Sequence, residues 1–357
     1  MKRGLLSLLL ALFVFTACDD TENTYDIPSE YSFENVDYSG QETRIEMLAE
    51  ISAYAKTANS GAQVESAKLK AMFENANAPF SNPDLNTADK DLFSKTFEFD
   101  RADFLNFFDE FELATQSSAT VGSNGTAGVV TSLDGSKAYF FDENGVEHIQ
   151  LIEKGLMGAC FYYQMVSVYL SDAKIGESVD NNAVTPGKGT AMEHHWDEAF
   201  GYTSFPTDYP NHSASLAFWA KYIDGRETEL SSGTKLMDAF IKGRAAISAN
   251  DMATKFEMAE VISTEMEKVV GGTAVHYINA ALADYSDDAL RNHTLSEAWA
   301  FIYSLKFNEN KSISNEQIDE AITLLGTNFY EVSRADLSAS KAIIVEALGL
   351  QAVADQL

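Results

Sequence analysis

Six histidines occur in the chain, and two of them are adjacent. They belong to Glu193-His194-His195-Trp196-Asp197-Glu198-Ala199-Phe200-Gly201-Tyr202, the densest cluster of metal-competent side chains in the sequence. Wound as a helix, this run puts His195 and Glu198 on one face, with His194 a full turn from Glu198. An imidazole and a carboxylate so placed are two of the ligands that bundle proteins offer to zinc or iron. Asp197 is a further carboxylate beside them, and a second helix must supply the rest. Glu153 and His148 are the first candidates, then Glu257, Glu260 and His276. The pattern is not the HExxH of zinc proteases, because no Glu directly follows either His and no second His lies four residues on. No set of nucleophile, base and metal follows from the spacing, so peptidase chemistry stays a minor alternative. The competing expectation is architectural: His194 and His195 are bonded within a tightly packed helix start, with Trp196 and Phe200 in the core.

Other reactive groups carry less. Cys160 lies in the apolar run Leu156-Met157-Gly158-Ala159-Cys160-Phe161 and reads as a small buried hydrophobe. Gly187-Lys188-Gly189-Thr190 lacks the earlier glycine of a phosphate-binding loop. Trp196, Trp219 and Trp299 all fall in helical apolar patterns, which favours packing over sugar stacking.

The elements that must position these groups are mostly helical. Gln41–Asn59, Val64–Asn75 and Asp100–Gln116 carry apolar residues at helical spacing, the last with Phe104, Phe107, Phe108 and Phe111 on one broad face. Residues 128–148 change period. Asp134-Gly135 and Asn144-Gly145 separate short apolar runs, which predicts a small β-hairpin. Helix is expected again over Glu147–Ser171, then a loop near 172–192, then Met192–Thr203. In the second half, helices are expected at Ser215–Asp224, Thr234–Ala249, Asn250 to about Tyr285, Ser314–Leu325 and Ser333–Leu348. Thr294-Leu295-Ser296-Glu297 matches a capping box before Trp299, and Gly271-Gly272 predicts a kink or a close helix approach. The expected fold is a mainly α helical bundle of about ten helices, as one body or two sub-bundles, with a hairpin insertion.

Composition bounds the partners. The chain has 357 residues, 45% of them hydrophobic, with a formal charge of −29. It can bury a real core, and with 25 basic against 54 acidic residues it offers no surface for nucleic acid. Met1-Lys2-Arg3, the apolar run Leu5–Phe15 and Thr16-Ala17-Cys18 form a signal peptide over residues 1–17. Phe15-Thr16-Ala17-Cys18 resembles the lipobox of bacterial lipoproteins, which implies lipidation of Cys18. Asp19, Asp20 and Glu22 resemble the export tags of Gram-negative surface lipoproteins. Residues 18–31 read as a tether, and residues 32–357 as the folded domain. The expected location is the cell envelope, on the outer membrane.

Tyr38-Ser39-Gly40-Gln41, the His194–Tyr202 run, and Ser296-Glu297-Ala298-Trp299-Ala300-Phe301-Ile302 with Leu305-Lys306-Phe307-Asn308 resemble a family of Gram-negative envelope lipoproteins. That family is distantly similar to imelysin-like proteins, which are helical, envelope-attached and linked to iron uptake. Imelysins carry a Gly-x-His-x-x-Glu motif; His195 and Glu198 match its second part, while Glu193 replaces the glycine. The resemblance implies a divalent metal, iron or zinc, held by His195 and Glu198. His194, Asp197 and Glu153 are then supporting ligands, and an outer-membrane receptor or uptake partner is implied. The alternative is a non-enzymatic interaction module that docks a partner through a helical groove.

Overall fold

The structure, a computed structural model, describes residues 25–117, 120–213 and 215–357. The expected leader at 1–17 and Cys18 lie outside the described residues. In chain order the helices are α1 Ser39–Ala55, α2 Ser66–Glu74, α3 Pro83–Thr87 and α4 Arg101–Thr115. Strands β1 Gly128–Thr131 and β2 Ala138–Phe141 follow. Next come α5 His148–Leu156, a π-helical segment Met157–Tyr169, α6 Asp172–Ile175 and α7 Ala191–Gly201. The second half holds α8 Phe218–Gly225, α9 Glu227–Leu230, α10 Ser232–Ser248, α11 Met252–Ala283, α12 Asp288–Ser304, α13 Asn315–Leu325 and α14 Arg334–Ala347. The protein is mainly helical, with eleven helices of seven residues or more among those described and one two-stranded antiparallel hairpin.

One continuous apolar core runs from Tyr31 to Leu357. α11 lies between α10 and α12, α12 also packs on α5, and α13 pairs with α14. On α4, Phe104, Phe108 and Phe111 are fully buried, while Phe107 is half-buried and meets the edge of Trp299. The hairpin forms where its turn chemistry predicts, with Val129 opposite Phe140 and Val130 opposite Tyr139. Gly135 supplies the left-handed backbone of its turn, at φ 73°.

Two local readings change, and a third resolves to one of its alternatives, the close helix approach. The expected cap at Thr294–Glu297 lies inside α12, whose start is set by Asp287 accepting from the Ala289 and Leu290 N–H groups. α11 runs unbroken through Gly271 and Gly272; there the missing side chain of Gly271 admits Leu348 from the end of α14. The helix expected over 147–171 changes pitch at Met157 and continues as thirteen π-helical residues. Such turns are ordinarily single insertions. Here almost every side chain is buried, and several bond outward to neighbours, as Gln164 does to the Lys95 carbonyl and Ser167 to the Phe307 carbonyl.

Candidate functional site

Helix α7 starts at a capping box that the histidine reading did not use. Thr190 Oγ1 accepts from the Glu193 N–H, and Glu193 Oε2 accepts from the Thr190 N–H at 2.8 Å. Glu193 and Asp197, one turn apart, then face α10 together. Arg244 of α10 bridges them, with Nη1 2.6 Å from Glu193 and Nε 3.0 Å from Asp197. The Tyr31 hydroxyl donates to Asp197 Oδ1 at 2.6 Å, and its ring stacks on Phe200. Arg244, Asp197 and Tyr31 are all buried. Burial pushes the Asp197 carboxyl up to about 7, against the lowering by Arg244 and Tyr31. Burial also raises Glu193, but Ser248, the Thr190 N–H and Arg244 outweigh it and hold that carboxyl below its usual range.

The opposite side of α7 carries His195 and Glu198. His195 Nδ1 sits 2.7 Å from the Lys174 carbonyl, so Nδ1 holds the proton and donates. Burial lowers the affinity of this ring for a second proton. Glu198 Oε1 accepts from Gln41 Nε2 at 3.1 Å and from the Tyr169 hydroxyl at 3.0 Å. Tyr169 comes from the last π-helical turn and receives the Lys95 ammonium at 2.9 Å. His194 is half-buried. Trp196 and Phe200 are fully buried, and the Trp196 indole donates to the Phe240 carbonyl.

The five expected ligands therefore divide. His195 and Glu198 share one side, while Asp197 is committed to Arg244 and Tyr31 on another. Glu153 belongs to a different cluster altogether. Among the described residues, no group of three or more His, Cys, Asp or Glu is placed to hold a metal ion. His195 and Glu198 offer two donors, short of the three or four protein ligands typical of zinc. The cysteine reading stands: Cys160 is fully buried, and burial pushes its thiol up to about 12.

A buried charge cluster escaped the sequence reading. Glu147 at the start of α5 and Glu153 and Lys154 in its last turn meet His293 and Glu297 from α12. His293 presents Nδ1 to Glu147 at 2.5 Å and Nε2 to Glu297 at 3.5 Å, and stacks on Tyr139 of β2. Lys154 lies 2.5 Å from Glu153 and 3.2 Å from Glu297, and Lys56 reaches Glu153 at 2.7 Å. Burial disfavours the charged forms, but the two lysines hold Glu153 well below the carboxylate range. Glu147 and Glu297 likewise outweigh burial and raise His293. The i, i+4 spacing of His293 and Glu297 was visible in the sequence; their meeting with α5 was not.

Beside this cluster lies a cleft of about 910 Å³ between the end of α4, the hairpin's flanking turns, the start of α5, α12 and the loop after α13. Leu113, Trp299 and Phe329 give it apolar surface, and Glu110, Asp142 and Glu143 give it negative charge. Its walls are tied together. Asp142 Oδ1 accepts from the Asn144 and Val146 N–H groups at 2.8 Å, the Gly125 N–H donates to the Glu143 carbonyl, and the Phe329 N–H donates to the Asn144 carbonyl. His148, first residue of α5, lies in the wall with Nε2 3.3 Å from Asp142 Oδ2 and its ring stacked on Phe111.

Fold and geometry together define an all-helical scaffold with a hairpin insert, two internal charge clusters and one acidic–apolar cleft. Residues 28–344 match the family described as a domain of unknown function, DUF4856, and the chain belongs to that family. No curated protein and no solved structure is significantly similar to it. Among the described residues, no helix is long and apolar enough to cross a membrane.

Proposed function

We propose that this protein is a non-enzymatic interaction module of the cell envelope. It is tethered through a lipid on Cys18 and engages its partner in the cleft between α4, the hairpin, α5 and α12. The observation that carries the reading is the contrast between two polar groups. The acids of α7 are partnered, Glu193 and Asp197 by Arg244 of α10 and Glu198 by Gln41 and Tyr169, whereas the cleft leaves Leu113 67% exposed beside carboxylates with no Lys or Arg in its lining. Exposed apolar surface rimmed by polar groups is what a binding face presents. The volume suits a few side chains or a small ligand. An outer-membrane receptor or uptake protein is the partner class that an envelope tether makes reachable.

The test places a photo-activatable residue at Leu113 of the full chain, expressed in its native cells, with a second at the exposed Asp238 of α10 as control. A discrete adduct from position 113 alone is expected. No adduct, or the same adduct from both positions, overturns the reading. Metal content of the same preparation supplies the rival outcome. Stoichiometric iron or zinc, lost in a folded His195→Ala, Glu198→Ala variant, favours the imelysin-like uptake reading instead.

A further inference from the structure

The cleft's chemistry narrows what occupies it. Its side-chain charges are all carboxylates, from Glu110, Asp142 and Glu143, and no Lys or Arg lines it. Asp142 is fixed by two backbone N–H groups and by His148, so its carboxylate cannot swing away from the cleft to find a cation elsewhere. His148 is 5% exposed, yet its Nδ1 has no hydrogen-bond partner. That nitrogen is itself shielded, so recognition in the cleft falls to the carboxylates that line it. The half-buried Trp299 and the exposed Leu113 add apolar surface beside the carboxylates. That combination suits a positive group carried on an apolar body.

We propose that the cleft takes a basic segment of the partner protein: an arginine or lysine placed among Glu110, Asp142 and Glu143, with a neighbouring apolar side chain on the Leu113–Trp299 surface. This rests on the interaction-module reading above and names the chemistry of its partner. The charge of the whole chain, −29, steers such a segment inward over distances beyond the cleft itself.

The experiment titrates the full chain with a capped pentapeptide in which two arginines flank a phenylalanine. Controls are the same peptide with glutamines for arginines, and free agmatine. Saturable binding of the arginine peptide is expected, at least tenfold tighter than either control. Glu110→Gln with Glu143→Gln weakens it about tenfold without changing the fold, since both side chains are exposed. Raising salt weakens it further, as screening of surface charges requires. Equal binding of the glutamine peptide, or no effect of the double substitution, overturns the charge assignment. Agmatine binding as tightly as the peptide overturns the partner segment in favour of a small cation. A Leu113 adduct in cells without arginine-peptide binding leaves the module reading intact and removes this inference alone.

Discussion

At the scale of single residues, the α7 cluster is tested by removing its arginine and the α5–α12 cluster by pH. Arg244 is buried with two carboxylates, so removing it strands Asp197 and Glu193 in low dielectric. Arg244→Ala is expected to cost about 3–5 kcal/mol in urea unfolding, whereas Asp197→Asn, which keeps a partner for Tyr31, costs less. His293 behaves differently. Its folded-state proton affinity is raised by Glu147 and Glu297, so folding favours the imidazolium. The resulting stability is complete below the ordinary histidine value near 6.5 and is lost as pH rises through the raised value. Unfolding midpoints at pH 6, 7.5 and 9 should fall across that window in the wild type, and His293→Gln should flatten this part of the decline. An unchanged slope in the variant would remove His293 from the account. Sequence reading found the helix α7 and offered its Asp197 and Glu198 to a metal, but it gave Glu193 no role. Asp197 and Glu193 are partnered by Arg244, 47 and 51 residues further on, and no local pattern announces a contact at that separation.

At the scale of elements, the joint between α7 and α10 is set by one missing side chain. A Cβ on Gly243 would fall within the indole ring of Trp196. That ring is fully buried and anchored through its N–H to the Phe240 carbonyl, so it has no room to retreat. Gly243→Ala should therefore destabilise by about 1–3 kcal/mol, although alanine is the better helix former. A gain in thermal midpoint would show that the joint is looser than the packing implies. The longer helices were legible because periodic apolar residues mark a half-buried face, as at α4 and α13, whereas the short α3, α6 and α9 were not, α6 lying in the 172–192 stretch expected as loop. Nor was the π-helical pitch of Met157–Tyr169. Eleven of its thirteen residues are buried, so the segment has no polar stripe from which a period can be read. The start of α12 was misplaced for a related reason: Thr294 and Glu297 spell a cap locally, but Asp287 seven residues earlier satisfies the helix start.

At the scale of the molecule, the sequence could say that a core of this size exists and that its surface is acidic, because both follow from counts. It left one body and two as alternatives; one contiguous apolar core runs through both halves. The cleft was invisible, since its walls come from residues as far apart as Glu110 and Phe329. The sequence also ran the tether to residue 31, while the structure shows the chain gripping its own body sooner. Tyr25 donates to Asp251 at 3.1 Å, and Tyr31 closes over Asp197. On the lipidated reading of Cys18, only the seven residue steps from 18 to 25 separate bilayer from body, a leash of at most about 25 Å. Any pull between membrane and partner then enters the fold at Tyr25 and next loads Tyr31 and the Arg244 pair behind it. The first clasp in line is a part-buried hydrogen bond; the second is the most deeply buried charge in α7. The anchor would thus act as a two-stage mechanical fuse, giving slack before it endangers the fold.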